Sequence, residues 1–255
     1  MKQNMTITCK NCNQHFKGHF CNNCGQTADT HKINFHFLWH DIQHGLFHFD
    51  NGFFYTAKQL FTRPGIAIRE FIDGKRVRHF KPISLVILLA TVYGLLYHTF
   101  HIGFTDLVQV TGSGDDKINV EKINEWMSTH YAWASLLTLP FYALGTFLVF
   151  KKQGYNFVEH LVLNAFLAGQ RLILRITTFP IIYAFSGTPT IKTVTEFITL
   201  IDFILMVWGY SQFFNKLSKQ KSFLLTLLSY LIFALTLIIV GGLIGSGIYY
   251  FWTRH

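Results

Sequence analysis

Apolar residues fall along this chain in blocks of about twenty, the length that crosses roughly 30 Å of hydrocarbon. Five such blocks stand out, at about 83–104, 131–150, 158–185, 194–214 and 223–251. Ahead of them the period is helical. In 34–49, NFHFLWHDIQHGLFHF, residues Phe35, Leu38, Trp39, Ile42, Leu46 and Phe49 fall within one arc of about 100°, and His36, His40, His44 and His48 lie opposite. An aromatic face beside a membrane domain predicts an interfacial helix on the membrane surface. Asp50-Asn51-Gly52 signals a turn, FFYTAKQLFTR a second short helix stopped by Pro64-Gly65, and IAIREFIDG a third helix capped by Gly74. The fold class expected is an all-α polytopic membrane protein of about five transmembrane helices.

Charge sets the orientation. The chain has 255 residues, half of them apolar, 17% aromatic and 14% charged, with a formal net charge of +9. That excess is uneven: residues 1–81 hold eleven Lys/Arg against five Asp/Glu, and 105–130 hold two against five. Lys75, Arg76, Arg78 and Lys81 cluster just before the first block, Lys151 and Lys152 follow the second, and Lys216, Lys219 and Lys221 follow the fourth. Basic loops stay cytoplasmic, so one orientation satisfies them all: N-terminus inside, C-terminus outside. In the last block Gly241-x3-Gly245 and Gly242-x3-Ser246 place small residues one turn apart. Such a stripe packs within the bundle, the favoured reading, or against a second copy of the chain.

The four cysteines add chemistry. Cys9-x2-Cys12 and Cys21-x2-Cys24 are two knuckles separated by eight residues, a spacing that closes four thiolates onto one structural Zn²⁺. Asn13 and Gly25 follow the knuckles and tolerate positive φ; Gly18 suits the hairpin tip, with Phe16 and Phe20 as a minimal core. No apolar leader precedes the first cysteine, so a reducing cytoplasmic location is expected, where paired cysteines more often hold metal. The histidine stripe at 36, 40, 44 and 48 has chelating i, i+4 spacing. No carboxylate or cysteine completes a shell there, so a solvent or partner-binding face is the favoured reading. The expected layout is a zinc ribbon over 1–30, interfacial and juxtamembrane helices over 31–81, and a five-helix membrane domain over 82–255.

The knuckles, FHFDNGFFYTAKQLFTRPG, REFIDGKRVRHFKP and the apolar blocks after them resemble the bacterial family called domain of unknown function 3667. Its motif is carried here by Pro64, Gly65, Gly74, Lys75, Arg76 and Pro82. The resemblance implies architecture and a bacterial inner membrane. It assigns no catalytic residue.

Polar residues inside the apolar blocks are few. The third block carries Glu159, His160, Asn164, Gln170, Arg171 and Arg175, and the fourth carries Asp202. With Gly187–Pro189 as the turn of an antiparallel hairpin, Arg175 lies about 18 Å and Asp202 about 20 Å down their helices. Each charge alone costs at least about 2.5 kcal/mol at that depth, so an ion pair is expected. Glu159-His160 is placed at the inner interface, and Pro180 is a candidate kink.

Three function classes follow. The favoured one is non-enzymatic: the ribbon and interfacial helices recruit a cytoplasmic protein to a lipid-embedded anchor. The alternative is a transporter or lipid-handling protein with a polar intramembrane site on the third and fourth spans, although no internal repeat accompanies it. An enzyme is disfavoured, since adjacent Glu159 and His160 point about 100° apart on a helix and no nucleophile motif accompanies them. Nucleic acid is not an expected partner, because the ribbon's basic residues are few.

Overall fold

The computed structural model describes residues 6–28, 30, 32–35, 52–102 and 120–254, with the backbone alone at 120–124, 127 and 244–254. His36, His40, His44 and His48, and most of the helix expected over 34–49, lie outside the described residues. Among those described, two short strands, β1 (Ile7–Thr8) and β2 (His15–Phe16), pair antiparallel. Seven helices follow: α1 (Gly52–Thr62), α2 (Pro64–Ile72), α3 (Pro82–Thr99), α4 (Val120–Phe150), α5 (Phe157–Phe185), α6 (Thr190–Phe213) and α7 (Lys219–Arg254).

Among the described residues, four segments are long and apolar enough to cross a membrane: Pro82–Thr99, Ser128–Gln153, Phe157–Phe185 and Lys219–Leu243. α6, expected as the fourth of five spans, is not among these and carries Lys192, Glu196 and Asp202 along its length. The helical path of α4 is interrupted at His130 (φ −111°, ψ 15°), two residues into the span. α5 continues through Pro180 to Phe185, and its N-terminus is closed by a capping box between Asn156 and Glu159.

α5 is the centre of the packing. It lies against α1, α2, α3, α4 and α6, while α7 packs on α4 and α6 at the outside. Contacts between aromatic rings mark the two ends. At one end Phe150 stacks on Phe214 at 3.9 Å and Tyr155 meets Phe213 at 4.6 Å, so the end of α4, the start of α5 and the end of α6 come together. At the other, Phe100 after α3 lies 5.4 Å from Phe179 and 5.0 Å from Tyr183 of α5. Ile33, after the β1–β2 unit, and α2 sit at the first end: Asn156 Nδ2 donates to the Ile33 carbonyl at 3.2 Å, and Arg69 Nη1 donates to the carbonyls of Gln212 and Phe213. Lys151, Lys152, Lys216, Lys219 and Lys221 flank that same end in sequence.

Small residues set two of the close approaches. Gly145 of α4 faces α7 so tightly that an added Cβ would stand 2.6 Å from the Ser229 carbonyl oxygen. Gly65 of α2 lies against the last turn of α6, where an added Cβ would overlap the Phe213 nitrogen and the Gln212 backbone. Pro64 stands at the first position of α2, whose missing N–H is an orphan there anyway. Pro64-Gly65 therefore opens the third short helix and seats it on the bundle, rather than merely stopping the second. Gly241 and Gly242 differ: both are exposed with no atom within 4 Å of an added Cβ. The packing within the bundle expected of that stripe is not made at these two positions.

Gly65→Val should therefore cost about 1–3 kcal/mol through overpacking, whereas Gly241→Ala, with nothing to strike and a better helix former in place, should be neutral or slightly stabilising. Thermal unfolding of the two purified variants in detergent checks this contrast. Equal effects would contradict the α2–α6 contact.

Candidate functional site

Two regions hold the chemistry. In the first, each Cys-x2-Cys loop is closed by the same pair of backbone bonds. Cys9 N–H donates to the Gln14 carbonyl at 2.9 Å and Asn13 N–H to the Cys9 carbonyl at 2.9 Å; twelve residues on, Cys21 N–H donates to Gln26 at 2.8 Å and Gly25 N–H to Cys21 at 2.9 Å. Asn13 (φ 59°) and Gly25 (φ 74°) occupy the left-handed position of each loop. The loops face one another, and all four thiols offer ligand atoms within 4.8 Å of each other. Cys9 Sγ lies 3.5 Å from Cys24 Sγ and Cys12 Sγ 3.6 Å from Cys21 Sγ. A tetrahedral ion with metal–sulfur bonds of about 2.3 Å needs sulfurs about 3.8 Å apart, so the four residues fit one metal ion. Burial pushes the Cys9 thiol up to about 11. The bond from the Gln14 backbone holds Cys12 down at about 6, which favours its thiolate. His15 is turned away to the Thr8 hydroxyl. Phe16 is buried among the cysteines, but Phe20 is 61% exposed and takes no part in that core, contrary to expectation. A cluster this small keeps one ring dry and leaves the second outside.

The thiol cluster is fastened to the helices through the basic stretch after α2. Buried Gln26 accepts from the backbone N–H of both Arg76 and Val77 at 3.1 Å. Gly74 (φ +113°) ends α2, and the Arg76 guanidinium caps it by donating to the carbonyls of Phe71 and Ile72. Lys75 and Arg63 share Glu70, at 3.2 and 3.1 Å. Of the four juxtamembrane cations, two thus do structural work at the end of α2, Lys81 precedes α3, and Arg78 is exposed. Between the knuckles and α1–α2 lies a cleft of about 480 Å³, bordered by Cys12, Cys24, Arg63, Arg78 and His79. Burial holds His79 down at about 4, so it is neutral near pH 7.

The second region is inside the bundle. His160 Nδ1 meets the Thr146 hydroxyl at 3.1 Å, Asn164 Nδ2 donates to the same oxygen at 2.9 Å, and the Tyr210 hydroxyl donates to Asn164 Oδ1 at 2.6 Å. One helical face further along, Arg171 Nη1 donates to the Tyr142 hydroxyl at 3.2 Å and stands 4.8 Å from the centre of that ring. Beyond it Arg175 pairs with Asp202, with Nε and Nη2 each 3.0 Å from Oδ2. Two of the expected members are used elsewhere. Glu159 is spent on the capping box, with its carboxylate on the Asn156 N–H at 2.8 Å, and Gln170 donates to the Leu60 carbonyl of α1 at 2.6 Å. Their polarity serves a helix end and the seating of α1, which single-helix spacing does not disclose. Thr146, Tyr142 and Tyr210, which join the track, give no signal in sequence because isolated Thr and Tyr are common in apolar helices.

The class defined by these features is a helical protein of membrane-spanning character with a four-thiol cluster fixed at one end. Residues 50–94 match the family described as "Protein of unknown function (DUF3667)". The matched stretch covers α1, α2, the loop after it and the first part of α3, and so includes Pro64, Gly65, Gly74, Lys75, Arg76 and Pro82. No curated protein and no solved structure matches the chain.

Because Asp202 and Arg175 neutralise one another inside the bundle, Asp202→Arg should reduce the yield of folded protein in the membrane, and adding Arg175→Asp should restore part of it. Fluorescence-detected size exclusion of the single and double variants reads this out. Equal loss in both would show that the pair contributes nothing as a pair.

Proposed function

We propose that this protein is a non-enzymatic anchor of the bacterial inner membrane that presents a zinc ribbon to a cytoplasmic protein partner. One observation carries the reading: Gln26 ties the second knuckle to the backbone of Arg76 and Val77, directly before the first membrane helix. A ribbon held this way is a fixed platform rather than a tethered domain. Four thiolates around one Zn²⁺ leave no open position, so the metal stabilises the fold of the ribbon and performs no chemistry.

We read α6 as a fifth span. It runs antiparallel to α5 from the 186–189 turn back to Phe213 beside Tyr155, so it crosses the same thickness as its neighbour. Its charged residue at mid-length, Asp202, is neutralised by Arg175. The N-terminus and all the lysine-bearing turns then lie in the cytoplasm and the C-terminus in the periplasm. Membrane lipids cover the outer faces, and the exposed Gly241 and Gly242 are available to a second copy of the chain. The second reading, a transporter or lipid-handling protein, is favoured by one observation only: two guanidiniums on α5 face a single carboxylate.

The platform reading predicts one Zn²⁺ per chain, lost in the Cys21→Ser, Cys24→Ser double variant. A photo-crosslinking residue at exposed Phe20 should capture one cytoplasmic protein in living cells, and that product should vanish in the same double variant. No crosslinked protein from Phe20, or a product indifferent to the cysteines, would overturn the platform. Absence of metal in the intact chain would overturn the ribbon.

A further inference from the structure

Arg171 and Arg175 stand one turn apart on the same face of α5. Asp202 is their one acidic neighbour among the described residues, and both Arg175 bonds go to its Oδ2. Asp202 Oδ1 is buried with no hydrogen-bond partner, although the residue is 5% exposed. Arg171 makes one bond, from Nη1 to the Tyr142 hydroxyl, and no ion pair with an acid among the described residues. The site therefore carries one surplus positive charge, unused guanidinium donors and one unused carboxylate acceptor. It is also reachable: the Arg175 side chain is 34% exposed and Arg171 is half-buried. A charge left uncompensated at this depth is costly, and paired neighbours are the rule for such groups.

We propose that Arg171, Arg175 and Asp202 bind a singly charged, protonated phosphate group within the bundle. One negative charge balances the count of two guanidiniums against one carboxylate. The phosphate oxygens accept from Arg171 and Arg175, in the charge-assisted geometry that guanidinium forks favour. The P–OH donates to Asp202 Oδ1. A carboxylate group satisfies the first need and not the second, and a phosphodiester, lacking the P–OH, does no better. The ligand is inorganic phosphate or the monoester headgroup of a lipid; the protein's needs are the same for both. This inference rests on the intramembrane polar site alone, so its failure leaves the ribbon platform standing.

The test uses the full chain in detergent. The unfolding temperature is followed against sodium phosphate at pH 6 and against dioleoyl phosphatidic acid. Sodium chloride and acetate at matched ionic strength, together with dioleoyl phosphatidylglycerol, serve as controls. A saturable rise with phosphate exceeding that with chloride and acetate identifies a free anion. A rise with phosphatidic acid alone, absent with the diester lipid, identifies a headgroup. Either result should be weakened about tenfold in affinity by Arg171→Lys, which keeps the charge and loses the fork, the size expected for one charge-assisted hydrogen bond. Tyr142→Phe should leave the folded state intact and also lower the affinity, so the contrast survives if Arg171→Lys does not fold. No rise beyond chloride with either ligand would overturn the proposal, as would wild-type affinity in the variants.

Discussion

The fold depends on the contact between α2 and the last turn of α6. Helix ends leave carbonyls without partners, and a buried end must find donors. Here Arg69 of α2 supplies them, reaching the carbonyls of Gln212 and Phe213. Gln212 answers by accepting from the Gly65 N–H at 3.2 Å. Neither exchange is available unless the two backbones nearly touch, and glycine at 65 is what permits that. Among the described residues, α1, α2 and the thiol cluster ahead of α3 are consequently part of the bundle. α1 is held by Gln170, α2 by α6, and the thiol cluster by the loop that ends α2. Through this chain of contacts a metal-sized cluster of thiols is fixed relative to helices of membrane-spanning length.

The polar residues inside the bundle divide by depth. Near the end where the thiol cluster sits, His160, Thr146, Asn164 and Tyr210 satisfy most of one another's needs through neutral hydrogen bonds. Further along the same face of α5 the groups are charged, and their needs are met only in part. Fully satisfied buried networks make a bundle rigid, while partly satisfied ones are costly. Each half leaves one buried atom without a partner, His160 Nε2 in one and Asp202 Oδ1 in the other; what sets the charged half apart is its surplus guanidinium.

Much of this was legible in the sequence. Apolar blocks of about twenty residues announce helices for a physical reason that tolerates almost no exception, because backbone polar groups in hydrocarbon must be satisfied internally. Two Cys-x2-Cys loops eight residues apart announce a four-thiol cluster, because the loop closes on itself through local backbone bonds. The levels of Arg175 and Asp202 followed from rise per residue and the position of the turn. What the sequence concealed is tertiary. The seating of α1 and α2 against the longer helices follows from Gln170, Arg69 and Gln26, each bonded to backbone more than forty residues away. Bonds to backbone carry no residue-type signature in the partner. The outward placement of Phe20 and of Gly241 likewise depends on which neighbours arrive, and composition is silent on that.

The central claim is that the thiol cluster is locked to the bundle through Gln26. Hydrogen–deuterium exchange at the Arg76 and Val77 amides tests it most directly. Both N–H groups donate to Gln26 Oε1 although they lie in a turn outside any helix, where exchange is otherwise fast. The account predicts slow exchange at both amides in the intact protein, and fast exchange in Gln26→Ala with the metal content unchanged. Fast exchange at both amides in the intact, metal-loaded chain would contradict it.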